Sequence, residues 1–217
     1  MLITIQAQPL THEVVSPVAD ATVQQGEQAE TNFGHEPQLS VGRHSQSDQN
    51  RMSFLKFQLP DEPAAITHAM LQLHGQSISR HAYDGGFLFR VYAISEDAWT
   101  EDQLTAANAP NVFRTVSSLK QVDLEHYPVG HATCFHEPSD MGITVTQAVQ
   151  EAQRAGREHL SLVLIREQYW PGEQTDDVSA VFAARESEGG HGPALHLWKE
   201  RPQVDASAVQ AESIGGR

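Results

Sequence analysis

The sequence predicts one all-β sandwich domain with a single short helix. Two observations carry this. Apolar residues alternate with polar ones in short runs through most of the chain, and Gly, Pro, Asn, Asp and Ser cluster between those runs. Only one stretch has the period of an amphipathic helix. At 217 residues one domain is favoured over two very small ones, because a single core buries the larger fraction of surface.

The elements follow in order. Ser53, Leu55, Phe57 and Leu59 share one strand face, and Ala69, Leu71 and Leu73 share a face of the next strand. The turn between them is placed at Pro60 to Ala64. Phe87 to Ile94 is apolar on both faces apart from Arg90, as expected of a strand covered on both sides. Leu160 to Ile165 reads the same way. The helix is expected over 144–156, with Thr144 and Gln147 at capping-box spacing, Val145, Ala148, Val149 and Ala152 on one stripe, and Gly156 as the stop. Strands near Ser179 to Ala183 and at Ala194 to Trp198 close the pattern, the last with Leu195 and Leu197 inward and His196 and Trp198 outward. The chain divides into an N-terminal strand or extension at 1–17, the sandwich at 18–200, and an aperiodic tail at 201–217.

Composition excludes several functions. The 28 acidic against 14 basic residues give a formal charge of -14. That balance argues against nucleic acid or anionic lipid as a partner, since such binding needs clustered cations. No apolar run approaches the ~18 residues of a membrane span, and Met1 to Pro9 lacks the features of a signal peptide. The single cysteine, Cys134, reads as a small buried packing residue.

Short motifs then recur in a fixed order: Val18-Ala-Asp-Ala-Thr-Val23, Thr31-Asn-Phe-Gly34, Leu39-Ser-Val-Gly42, Arg51-Met-Ser-Phe-Leu-Lys-Phe57, Ile66 to Leu73, Val91 to Glu101, Leu104-Thr105 and Asn108-Ala-Pro110. Ile143-Thr-Val-Thr146, Phe182-Ala-Ala-Arg-Glu-Ser187 and Pro193 to Leu197 complete the series. In this order they resemble the DNRLRE-type domain, which overlaps carbohydrate-binding module family 96. The chain departs from that pattern at Ala106, where Trp is usual, and at Ala184, where Ser is usual.

The resemblance implies a jelly-roll sandwich. It also implies a non-catalytic polysaccharide-binding module, for an alginate-like uronate or a neutral glycan, acting beside a polysaccharide-degrading domain. An extracellular or periplasmic location follows from the same likeness. Most motif residues have structural readings: Gly34 and Gly42 suit turns through positive φ, and Phe54, Phe57 and Trp99 suit the core.

Ligand contacts are therefore sought in loops and on exposed strand faces. Tyr169 and Trp170, in a polar loop with Arg166, Glu167, Gln168 and Glu173, can offer ring faces to sugar C–H groups and polar neighbours to hydroxyls. Trp198 and Tyr83 are weaker platforms, and Arg90 is a candidate for a uronate carboxylate. A basic patch of Arg43, Arg51, Lys56 and Arg90 would be needed to hold a polyanion against the net charge.

By likeness to jelly-roll modules, a structural Ca2+ is expected at Asp20 and Glu186; the competing account is an ion pair from Arg185 to either carboxylate. The twelve histidines raise zinc or copper, yet no spacing matches a known zinc pattern, and His68 and His74 lie ~20 Å apart along one strand. Two rival functions stand beside the binding module. One is a polysaccharide lyase using Arg51, His74, Arg90 and Tyr92 on a concave face. The other is a structural or surface-assembly role.

Overall fold

A computed structural model describes residues 10–44, 49–60, 66–79, 86–110, 128–166 and 178–200. The expected turn at Pro60 to Ala64 falls mostly outside them, and the tail at 201–217 falls wholly outside. The strands are β1 Leu10–Val15, β2 Pro17–Gln24, β3 Gln38–Arg43, β4 Arg51–Gln58, β5 Ile66–Ser77, β6 Phe87–Ile94, β7 Pro128–Cys134, β8 Ser139–Thr144, β9 His159–Ile165, β10 Val178–Ala183 and β11 Ala194–Glu200. Among the described residues one α-helix, α1 Thr146–Arg154, separates β8 from β9. The chain is an all-β sandwich of the jelly-roll class.

Every strand pair is antiparallel. In sheet I, β5 pairs with β8 on one side and with both β11 and β10 on the other; β1 extends β11 and β3 extends β10. In sheet II, β4 pairs with β2 and β9, and β6 and β7 follow β9. The sheets join at one pair, Gly42 with Arg51. Buried hydroxyls seal this seam: Ser40 N–H donates to Thr22 Oγ1, Ser53 Oγ donates to the Ser40 carbonyl, and the Thr22 and Ser53 hydroxyls lie 3.2 Å apart. Both hydroxyls thus find partners, which removes most of their desolvation cost.

The inner faces form the main core. Leu55 and Phe57 of β4, Leu71 and Leu73 of β5, Phe87, Phe89 and Val91 of β6, Leu160, Leu162 and Leu164 of β9, and Leu195 and Leu197 of β11 belong to one cluster. The strand parities read from the sequence hold. A second cluster lies on the outer face of sheet II, where Ala21, Val23, Met52, Phe54, Tyr92, Ile94, Val163 and Ile165 pack against Trp99 and Leu104. The segment after β6 thus covers that face, which is why β6 and β9 are apolar on both sides.

Two local readings are corrected. The capping box at Thr144 and Gln147 does not form, because Thr144 ends β8 and Val145 is the N-cap, without a side-chain cap bond. Thr146 instead uses its hydroxyl to accept the Ala69 N–H at 2.9 Å, which docks the helix on β5. The apolar stripe and the stop at Gly156 (φ 65°) stand. Gly34 and Gly42 are not among the positive-φ glycines. Gly34 is required by close approach, since a Cβ there would lie 2.4 Å from the Glu101 carbonyl oxygen.

Candidate functional site

Among the described residues, the two outer faces differ in what covers them. Sheet II is sealed by the 96–110 segment, which is held from beneath. Lys56 is buried and donates to the carbonyls of Asp97, at 2.5 Å, and Trp99, while its ammonium lies 4.4 Å from the Trp99 ring. Burial pushes the Lys56 pKa down. The Trp99 indole donates to Ser161 Oγ at 3.2 Å and meets Phe54 edge-on. Lys56 is therefore no part of a basic patch, and Arg51 spends its Nε on Gln24 at 2.8 Å.

Sheet I turns polar and aromatic side chains outward. The register places His12, Trp198 and His68 in one cross-strand row over β1, β11 and β5. The Trp198 ring stacks on His12 at 4.7 Å and meets His68 at 5.0 Å. His196, one pair further along, lies 3.0 Å from His12 through Nδ1 and 2.7 Å from Gln72 Oε1 through Nε2. Desolvation, then the neighbouring His12, lowers the His196 pKa. Trp198 is half-buried and flanked by imidazoles on both sides, so it offers a ridge of ring edges rather than an open platform. His74 and Asp140 sit opposite each other on β5 and β8, with His74 Nδ1 donating to Asp140 Oδ1 at 2.8 Å. The His191 ring stacks on His74 at 4.6 Å.

A third arrangement gathers the sequence motifs. Glu101 is buried; its Oε1 accepts the Asp20 N–H at 2.9 Å and its Oε2 pairs with Arg185 Nη2 at 2.5 Å. The same Nη2 lies 2.9 Å from Glu186 Oε1. Asp20 Oδ2 accepts the Arg185 backbone N–H at 2.8 Å. Asn32 donates to the carbonyls of Glu101 and Leu104, at 2.7 and 2.9 Å, and accepts the Gly34 N–H. Desolvation by burial raises Asp20 from 3.8 to about 7. Asp20 Oδ1 and Glu186 Oε2 are buried and accept no hydrogen bond, and a proton held on Asp20 Oδ1 suits the raised pKa. The Arg185 pair with Glu186 forms, whereas Asp20 meets the Arg185 amide and not its guanidinium.

The remaining sequence candidates are scattered. Tyr169, Trp170 and Tyr83 lie outside the described residues. Arg166 donates from Nη1 to the Leu88 carbonyl at 2.9 Å, and its guanidinium lies 5.3 Å from the Phe87 ring centre, so it braces the end of β9 against β6. The four residues weighed for a lyase do not gather. Tyr92 is buried in the second cluster, Arg90 shares its strand face, His74 is on the outer face of sheet I, and Arg51 opens β4. Cys134 is buried, its thiol pushed up to about 11 by burial.

Sequence reasoning missed Glu101, although it closes a quoted motif, because only the fold brings it to Asp20 and Arg185. It also missed the His74, Asp140 and His191 grouping, whose members are far apart in the chain.

A β-sandwich that shields one outer face and displays a strip of rings and amides on the other has the form of a ligand-binding module. Residues 11–199 match the model of carbohydrate-binding module family 96, and the chain belongs to that family. No curated protein sequence matches the chain significantly. Among the described residues no helix is long and apolar enough to cross a membrane.

Proposed function

We propose that this carbohydrate-binding module lays a polysaccharide along the outer face of sheet I, with Trp198, His12, His68, His196 and Gln72 at the contact. The observation that carries this is the asymmetry of the outer faces: one is closed by Trp99 and its segment, and the other presents the His12–Trp198–His68 row. A neutral imidazole both donates and accepts, as a sugar hydroxyl does, so the two match without fixed charge. The ring edges add apolar contact to sugar C–H groups.

The finer reading favours a neutral glycan, because the chain is strongly acidic, Lys56 is buried, and Arg51 is hydrogen-bonded to Gln24. Tyr169 and Trp170 supply a second contact in this proposal. Family membership supports action outside the cell beside a polysaccharide-degrading domain. A non-catalytic role is supported by the dispersal of Arg51, His74, Arg90 and Tyr92. We further propose that the Arg185 guanidinium, rather than calcium, neutralises the Glu101 and Glu186 carboxylates beside Asp20. Calcium added to the chelator-treated chain then leaves the Tm unchanged, and a calcium-dependent rise refutes this.

Affinity electrophoresis against a panel of neutral and uronate polysaccharides tests the main reading. Saturable binding without unsaturated uronate products is expected, and Trp198→Ala should weaken it by about tenfold or more, the ~1.4 kcal/mol scale of one lost ring contact. The reading fails if no polysaccharide binds. It fails equally if Trp198→Ala and His12→Ala both leave binding unchanged.

A further inference from the structure

We propose that His74, Asp140 and His191 form a binding site for one divalent transition-metal ion of the zinc or copper class. One ligand atom from each lies within 4.8 Å of those of the other two. Two are fixed by sheet register, since β5 and β8 set His74 directly across from Asp140. The third comes from the β10–β11 connection, where Gly189 (φ 98°) and Gly190 (φ 74°) take a conformation that favours glycine just before His191. That turn lays the His191 ring on His74.

The donor set selects the metal. Two imidazoles and one carboxylate suit zinc, copper or nickel, whereas calcium and magnesium prefer oxygen ligands throughout. Ligands of a tetrahedral zinc ion lie about 3.3 Å apart, given bond lengths near 2.0–2.2 Å. The His74–Asp140 contact at 2.8 Å needs a slight opening, and the wider contacts need movements of an ångström or so. His191 and Asp140 are exposed, so both can make such shifts with little repacking. Three protein ligands leave a coordination position open to water.

Two other groupings are less suited. His196 already commits both ring nitrogens, to His12 and to Gln72. In the His35, Glu101 and Glu186 grouping the Arg185 guanidinium already occupies an oxygen of each carboxylate, and a metal would have to displace it.

Calorimetric titration of the chelator-treated full chain with zinc chloride tests the site, with calcium chloride as control and cobalt chloride as an absorbance probe. One zinc per chain is expected, calcium should give no heat at this site, and cobalt should show the intense visible bands of a tetrahedral complex. His191→Ala and Asp140→Ala change exposed residues, and each should weaken zinc by at least the ~10-fold that loss of even an outer partner of a ligand costs. His12→Ala should leave the site intact. Absence of stoichiometric zinc binding overturns the proposal. So does zinc binding that survives both His191→Ala and Asp140→Ala, or that is lost in His12→Ala.

Discussion

The Asp20 side chain is buried, gives Oδ2 to the Arg185 amide, and is raised to about 7 by desolvation. In the unfolded chain the same group titrates near 3.8. Between those values the folded protein holds a proton that the unfolded chain has released. Stability from this group is therefore complete below pH ~4 and is lost as pH rises through about 7. The difference corresponds to at most ~4 kcal/mol. Chemical denaturation of the wild type should show this decline across that window, and Asp20→Asn should flatten it; an unchanged slope in the variant would assign the dependence elsewhere. Glu101 makes a second test at the same place. Glu101→Ala leaves the Asp20 N–H and the Arg185 guanidinium without their partner, and a loss of about 2–3 kcal/mol is expected in the same experiment. Arg185 is partly exposed, which keeps that figure below the cost of breaking a fully buried pair.

At the scale of elements, Trp99 is the keystone of the segment that closes sheet II. Its ring meets Phe54 edge-on, lies over the Lys56 ammonium, and donates to Ser161. Trp99→Ala should cost about 3–5 kcal/mol in thermal or chemical unfolding, because the large cavity uncovers Phe54 and removes the ring beside the Lys56 ammonium. A loss below about 1 kcal/mol would show that the segment closes without its indole. The need for such a cover was legible in the sequence: Phe87 to Ile94 and Leu160 to Ile165 are apolar at both parities, so both faces had to be buried. What did the covering was not legible, since Trp99 reaches Phe54 and Ser161 only through the return of the chain after β6. Strand faces and the helix stripe could be read because they depend on residues two to four positions apart. The site could not, because Asp140 meets His74 across 66 positions and His12 meets His196 across 184.

On the scale of the whole molecule, the formal charge of -14 sets the kind of ligand the open face can hold. A polyuronate approaching this surface meets a repulsive field that reaches about 8–10 Å at physiological salt. The row of His12, Trp198 and His68 supplies hydrogen bonds and apolar contact without fixed positive charge to offset that field. Neutral-glycan binding should accordingly keep its affinity as salt is raised, because no long-range ion attraction contributes to it. Uronate binding should be weak without metal and strengthen with zinc, since an ion at His74, Asp140 and His191 would bring two positive charges and an open position to the same face. Affinity electrophoresis of one neutral glycan and one polyuronate, each at low and high salt and with zinc or chelator, measures both dependences. A polyuronate that binds tightly in chelator, with affinity collapsing as salt rises, would place the contact on a basic surface elsewhere and remove sheet I from the reading.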